Sequence, residues 1–260
     1  MMNTVSCRIM GGLGNYLFQI ATAFAISKRD NKKMIIDTSD NMVPHKPYKN
    51  YINNIFRNIE FTNNYKDFVR VNQNGFNYSD IPFVEGNVKL FGYFQSEKYF
   101  ENYRDEVLEL FSIDENTNNY IKEKYSTLLE GDTCSIHVRR GDYVRLSQYH
   151  YLQNVDYYKS AYEYMGKEKK YLIFSDDIEW CKENLKFIEN SYFIEGNTDY
   201  QDLYLMSLCK NNITCNSTFS WWGAWLNKNN KIVTIPSRWF GPQNSHLPTE
   251  DLYCEEWIKI

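Results

Sequence analysis

From residue 134 to residue 235, short apolar runs alternate with segments of helical period, and this alternation narrows the fold more than any other feature of the chain. Residues 134–138, 171–175, 192–194, 213–215 and 231–235 read as strands, and 156–165, 178–185, 200–210 and 219–227 as helices. Strands alternating with helices of about ten residues imply a parallel, doubly wound sheet. The chain opens with a unit of the same kind: a strand over 4–9, a glycine-rich turn over 10–15, a helix over 16–28 and a strand over 34–37. Two βαβ-based halves predict an α/β protein of two Rossmann-like domains facing a cleft. Residues 41–99, with Pro44, Pro47 and Pro82, show no clear period. Helical patterns over 101–110 and 116–129 lead to Glu130-Gly131-Asp132, which places the boundary between domains at 1–130 and 131–260.

Charge and cysteine usage exclude several classes. A net charge of −4 over 260 residues leaves no electrostatic footprint for nucleic acid, and no Lys/Arg cluster marks an anionic membrane surface. Association with a membrane is at most peripheral. The uncharged stretch from Ile9 to Ile26 is interrupted by Gly11, Gly12, Gly14, Asn15 and Gln19, and no basic segment precedes it, so it reads as neither signal nor span. Six scattered cysteines without a CxxC suit a reduced, cytoplasmic chain. Its 22 Tyr and 6 Trp are frequent enough to serve a carbohydrate site as well as the core.

Four clusters fall at the C-terminal ends of expected strands, where open α/β sheets hold ligands. Gly11, Gly12 and Gly14 make a tight turn before Asn15, although the spacing is not GxGxxG. The run His137-Val138-Arg139-Arg140-Gly141-Asp142 brings two guanidinium forks to a strand end, a chemistry matched to phosphate oxygens. His137 shares a strand face with Arg139, and Asp142 is either a general base or the ion-pair partner of Arg140. Asp176 and Asp177 close the next strand. Either can accept two N–H bonds from a guanine edge, and either can cap the following helix. Asn216, Ser217, Thr218, Phe219 and Ser220 lead into a helix whose N-terminal N–H groups suit phosphate, while Trp221 and Trp225 read as core. The chain has no DxD, no GxxxxGK[ST] and no metal-ligand spacing. A diphosphate here is neutralised by arginine and helix N-termini, with no metal or other cofactor required.

These clusters, in this order, resemble the bacterial α-1,2-fucosyltransferases of glycosyltransferase family 11. The resemblance rests on GGLGNYLFQ at 11–19, HVRRGDYV at 137–144, FSDD at 174–177 and NSTFSWWGAWL at 216–226. Tyr16 stands where the family usually has Gln, and Phe240 where it often has Trp. The resemblance implies a GT-B-like, metal-independent, inverting enzyme moving L-fucose from GDP-β-L-fucose to the 2-hydroxyl of a terminal β-galactoside. It works in the bacterial cytoplasm, near the inner membrane face, in O-antigen or polysaccharide biosynthesis. Domain 1–130 becomes the acceptor side and 131–260 the GDP-sugar side. Arg139 would hold the diphosphate, with Arg140 beside it, and Ser217, Thr218 and Phe219, preceded by Asn216, the phosphates or nucleoside. Asp176 or Asp177 would take the guanine next to His137, Asn15 would face fucose and acceptor, and Asp142 is the candidate base. The alternatives are a fucosyltransferase of α-1,6 or O-linked specificity, and a catalytically silent GDP-sugar-binding module.

Overall fold

A computed structural model of the chain describes residues 2–39, 48–229 and 232–260. Residues 41–47 of the unpatterned segment, and Lys231 of the last expected strand, lie outside them. The chain divides into two compact units, Met1–Asp114 with Pro248–Cys254, and Glu115–Leu247 with Glu255–Ile260.

The first unit contains β1 (Thr4–Cys7), α1 (Leu13–Arg29), β2 (Lys33–Met34), β3 (Ile36–Asp37), β4 (Phe61–Thr62), β5 (Phe68–Asn72), β6 (Asn87–Phe91) and α2 (Arg104–Leu110). Its main sheet is all parallel in the order β2-β1-β6-β5, and β3 pairs with β4 in a separate parallel ladder. The expected strand over 34–37 is thus two short strands in different ladders. The Ile9–Ile26 stretch becomes most of a helix buried along nearly its whole length, which is why it carries so little charge. Among the described residues no helix is long and apolar enough to cross a membrane. A charge also sits in the core: Lys89 of β6, 1% exposed, meets Asp37 at 2.5 Å, with the rings of Phe68 and Phe91 about the ammonium. Such a pair is tolerated only when each charge satisfies the other.

The second unit contains α3 (Glu115–Leu129), β7 (Thr133–Val138), α4 (Gly141–Arg145), α5 (Val155–Met165), β8 (Lys170–Ser175), α6 (Ile178–Asn184), β9 (Ser191–Phe193), α7 (Asp199–Leu208), β10 (Asn211–Ile213), α8 (Thr218–Trp225), β11 (Val233–Ile235) and β12 (Ile258–Lys259). Its sheet is all parallel, in the order β12-β11-β10-β7-β8-β9. The alternation predicted from sequence is therefore a doubly wound sheet with β7 near its centre. Ile136, Val138, Ile173, Tyr158 and Tyr162 share one core cluster. Trp221, Trp222 and Trp225 are all buried; Trp221 and Trp225 stack at 6.2 Å and Trp257 lies 5.3 Å from Trp221. Gly223 lets α8 approach α7, since a Cβ there would lie 3.1 Å from the Cβ of Met206.

The division falls at Asp114, before the Glu130-Gly131-Asp132 turn. Helix α3 buries Thr117, Ile121 and Tyr125, and the hydroxyls of Tyr120 and Tyr125 donate to Asn197 Oδ1 at 2.7 and 2.9 Å. These contacts attach α3 to the second unit, so the turn is only its connection to β7. The tail crosses the other way: Asp251 accepts from Lys98 Nζ at 2.5 Å and from the Tyr78 amide at 3.0 Å in the first unit. All six cysteines are buried and none is in a disulfide.

Candidate functional site: an arginine and carboxylate cluster at three adjacent strand ends

In the second unit β10, β7 and β8 are neighbours in the sheet, and all three run parallel. Their C-terminal ends therefore place side by side the three clusters that are far apart in sequence. The chain leaves β7 at Val138, and the next two residues are the arginines.

Arg139 is held from two sides. Its Nη2 lies 2.6 Å from Asp142 Oδ1 on the first turn of α4, and its Nη1 lies 2.9 Å from Asp176 Oδ2 beyond β8. Burial works against its charge, but Asp176 and Asp142 outweigh that and raise its pKa, so the guanidinium is permanently charged. Arg140 uses different partners. Its amide donates to Asp176 Oδ1 at 2.9 Å, its Nε donates to Asp177 Oδ2 at 3.0 Å, and its guanidinium lies 4.1 Å above the Trp180 ring. Asp142 is thus the partner of Arg139, three residues earlier and on the facing side of the α4 turn, and not of Arg140. Asp177 does two jobs, pairing with Arg140 and capping α6 by accepting from the Trp180 amide. Gly141 is required for the close approach of Asp176, because a Cβ on it would stand 2.4 Å from Asp176 Oδ2.

His137 points into the protein. It is 6% exposed, its Nδ1 lies 3.2 Å from Cys215 Sγ, and its ring centroid is 5.3 Å from that of Phe219. Burial, reinforced by Arg139, pushes its pKa down to about 3, so the imidazole is neutral, and burial pushes the Cys215 thiol up to about 12. Ser217 caps α8 by accepting from the Phe219 amide at 3.3 Å, which leaves Thr218 and Phe219 partly exposed at the helix start. The Asn216 amide is spent on the protein. Its Nδ2 donates to the carbonyls of Tyr151 and Trp239 at 2.7 and 2.8 Å, and its Oδ1 accepts from Gln153 at 3.2 Å.

The glycine turn lies in the first unit. Gly11 has φ +88°, and a Cβ there would stand 2.3 Å from Asn15 Nδ2, so this glycine serves both the turn and the side chain above it. Gly12 is the N-cap of α1, while Gly14 and Asn15 fall in its first turn and not in the loop. Asn15 Oδ1 accepts from Gln95 Nε2 at 2.8 Å. Gln19 locks the loop by exchanging hydrogen bonds with the Met10 backbone at 2.9 and 3.2 Å.

Tyr143, His150, Trp180 and Gln95 were not singled out from sequence. Tyr143 donates to the Asn216 carbonyl at 3.0 Å, lies beneath the Arg139 guanidinium at 5.5 Å, and stacks on His150 with centroids 4.4 Å apart at 9°. Tyr143 and Trp180 follow the arginines and aspartates closely enough to be suspected. Nothing in the sequence marks His150 or Gln95.

All-parallel α/β units, one with an arginine fixed between two carboxylates at a central strand end, fit a glycosyltransferase of GT-B-like fold. The comparisons agree with that class. The model of Glycosyl transferase family 11 matches residues 1–260, and the chain belongs to this family. It is 32% identical over 298 residues to an Escherichia coli α-1,2-colitosyltransferase, covering 100% of this chain and 99% of that one. It is 31% identical over 306 residues to the Escherichia coli O-antigen biosynthesis glycosyltransferase WbnK, covering 98% and 99%. Human galactoside α-(1,2)-fucosyltransferase 1 is 22% identical, with 96% of this chain and 73% of that one covered. The fold matches the NodZ α-1,6-fucosyltransferase soaked with GDP-fucose at a TM-score of 0.60, with 13% identity and 87% and 93% coverage.

Proposed function

We propose that the protein transfers L-fucose from GDP-β-L-fucose to the 2-hydroxyl of a terminal β-galactoside, with inversion and without a metal ion. The observation that carries this reading is Arg139, fixed by two carboxylates at the end of β7 between two neighbouring strand ends. The donor's C1–O bond breaks toward a diphosphate that gains negative charge as the ring becomes oxocarbenium-like. A preorganised guanidinium stabilises that transition state more than the ground state. Thr218, Phe219 and the start of α8 receive the phosphates or nucleoside, with Ser217 shaping the turn. Asp176 or Asp177, each already paired with an arginine, takes the guanine edge through its remaining lone pairs, and neutral His137 lies against Phe219. Asn15, set by Gly11 and Gln95, contacts the sugar or acceptor. The domain roles, GDP-sugar on residues 115–247 and acceptor on 1–114, follow from this assignment.

A second donor has a specific observation behind it: the 32% identity over the full chain to a colitosyltransferase. Colitose is fucose without its 3-hydroxyl, so the same phosphate chemistry serves both. The test is incubation with GDP-fucose or GDP-colitose and a terminal β-galactoside, with and without EDTA, followed by GDP release and linkage analysis. An α-1,2-fucosyl product formed equally in EDTA supports the proposal. A colitosyl product corrects the donor, another linkage corrects the acceptor position, and binding of GDP without turnover identifies a silent module.

A further inference from the structure

Transfer to a hydroxyl requires a proton acceptor, and the carboxylates of the arginine cluster are poor ones. Asp142 and Asp176 each meet Arg139, at 2.6 and 2.9 Å, and Asp177 meets Arg140 at 3.0 Å. A carboxylate engaged in this way directs its lone pairs at a guanidinium and not at an acceptor hydroxyl. His137 is 6% exposed and faces Cys215. The Tyr143 hydroxyl is already donated to the Asn216 carbonyl.

His150 differs from all of these. It is half-buried, and its ring lies flat against Tyr143, 4.4 Å between centroids at 9°, while the same Tyr143 ring carries the Arg139 guanidinium. Its backbone is fixed by donation to the Leu146 carbonyl at 3.0 Å and by an antiparallel bridge to Phe240. Neither ring nitrogen has a hydrogen-bond partner among the described residues. A rigid, unpartnered imidazole one ring away from the arginine expected to hold the leaving group has the geometry of a general base. We infer that His150 is the catalytic base that takes the proton of the acceptor hydroxyl, an assignment that rests on the transferase reading above.

The acceptor O–H bond breaks and its proton passes to an imidazole nitrogen of His150. The acceptor oxygen forms the new bond to C1, the C1–O bond to phosphate breaks, and its electron pair leaves with GDP. The imidazolium then returns its proton to water. The charged groups facing His150 are Asp142, which favours the imidazolium, and Arg139, which opposes it; burial is the largest influence, and together they lower its pKa. The resting ring is therefore neutral at neutral pH, and Asp142 helps carry the charge that develops.

The test compares wild type with His150→Phe, which keeps the stack, and His150→Ala, over pH 5–9. It reads kcat for transfer, the Kd of GDP, and rescue by added imidazole. Expected are an acid limb in the wild-type kcat profile that is absent from both variants, and a kcat loss of about 10²–10³. The GDP Kd should stay within about twofold, and imidazole should partly restore His150→Ala. A kcat for His150→Phe within threefold of wild type overturns the assignment, as does an unchanged acid limb. So does a parallel loss of GDP affinity, which would make the ring a support for Arg139 only. If wild-type protein releases no GDP from either donor, the transferase reading itself falls, an outcome distinct from normal turnover by the variants.

Discussion

Gly141→Ala separates the geometry of the site from the stability of the fold. The new Cβ would stand 2.4 Å from Asp176 Oδ2, and ordinary contact begins at 3.4 Å, so the carboxylate must retreat by about 1 Å. That motion breaks two contacts of 2.9 Å, one to Arg139 Nη1 and one to the Arg140 amide. The cost to folding is small. A partly exposed ion pair contributes about 0–1 kcal/mol and the amide bond about 1 kcal/mol, against a gain of about 0.5–1 kcal/mol for replacing glycine at a helix start. The net loss in unfolding free energy is therefore about 0–1.5 kcal/mol. Activity is far more sensitive, since Arg139 loses one of its two braces and a misplacement of about 1 Å costs about 10²-fold. Urea unfolding read beside GDP release should show a near-normal midpoint and kcat/KM lowered by about 10²-fold. Wild-type kcat/KM in a folded Gly141→Ala protein would refute the claim that Asp176 positions Arg139.

Three further outcomes follow from the same structure. Gly11→Ala forces a side chain to φ +88° and into Asn15 Nδ2, so thermal unfolding should show a loss of about 1–2 kcal/mol, with turnover falling as Asn15 is displaced. His137 has a folded pKa of about 3 against an ordinary 6.5, so below pH 6.5 the unfolded chain binds a proton that the native state refuses. Stability should therefore fall with pH by about 1.4 kcal/mol per unit below that point, about 2 kcal/mol by pH 5, and His137→Gln should remove this slope in urea titrations. Lys89→Met leaves Asp37 charged and buried, and should cost about 3–5 kcal/mol by chemical denaturation, whereas Lys89→Met with Asp37→Leu should recover much of that loss.

The second half was legible because strands such as β8 are apolar runs and helices such as α5 and α7 are long enough to show their period, although β10, Asn211-Asn212-Ile213, and the five-residue α4 are not. The sheet order then brought the arginine, aspartate and serine clusters together. The first half was obscured by strands as short as two residues, which have no period to read. In β6 the pattern Asn-Val-Lys-Leu-Phe hides a buried strand, because Lys89 is acceptable there only through Asp37, 52 residues away. The site residues were recognisable, but their pairing was not. Adjacent arginines leave a strand end in different directions, and no spacing tells which meets Asp142. Asp177 was readable as a cap from the helix that follows it. The stack of Tyr143 on His150 depends on how residues 146–150 fold back against Phe240, a tertiary fact with no local signal.

The most direct measurement is kcat for GDP release from GDP-fucose in the presence of a terminal β-galactoside, compared between wild type and Arg139→Ala. A guanidinium that stabilises the departing diphosphate predicts turnover by the wild type and a kcat about 10²–10³ lower in the variant, with the fold intact by circular dichroism. Wild-type turnover in folded Arg139→Ala would contradict the assignment of Arg139 to the leaving group.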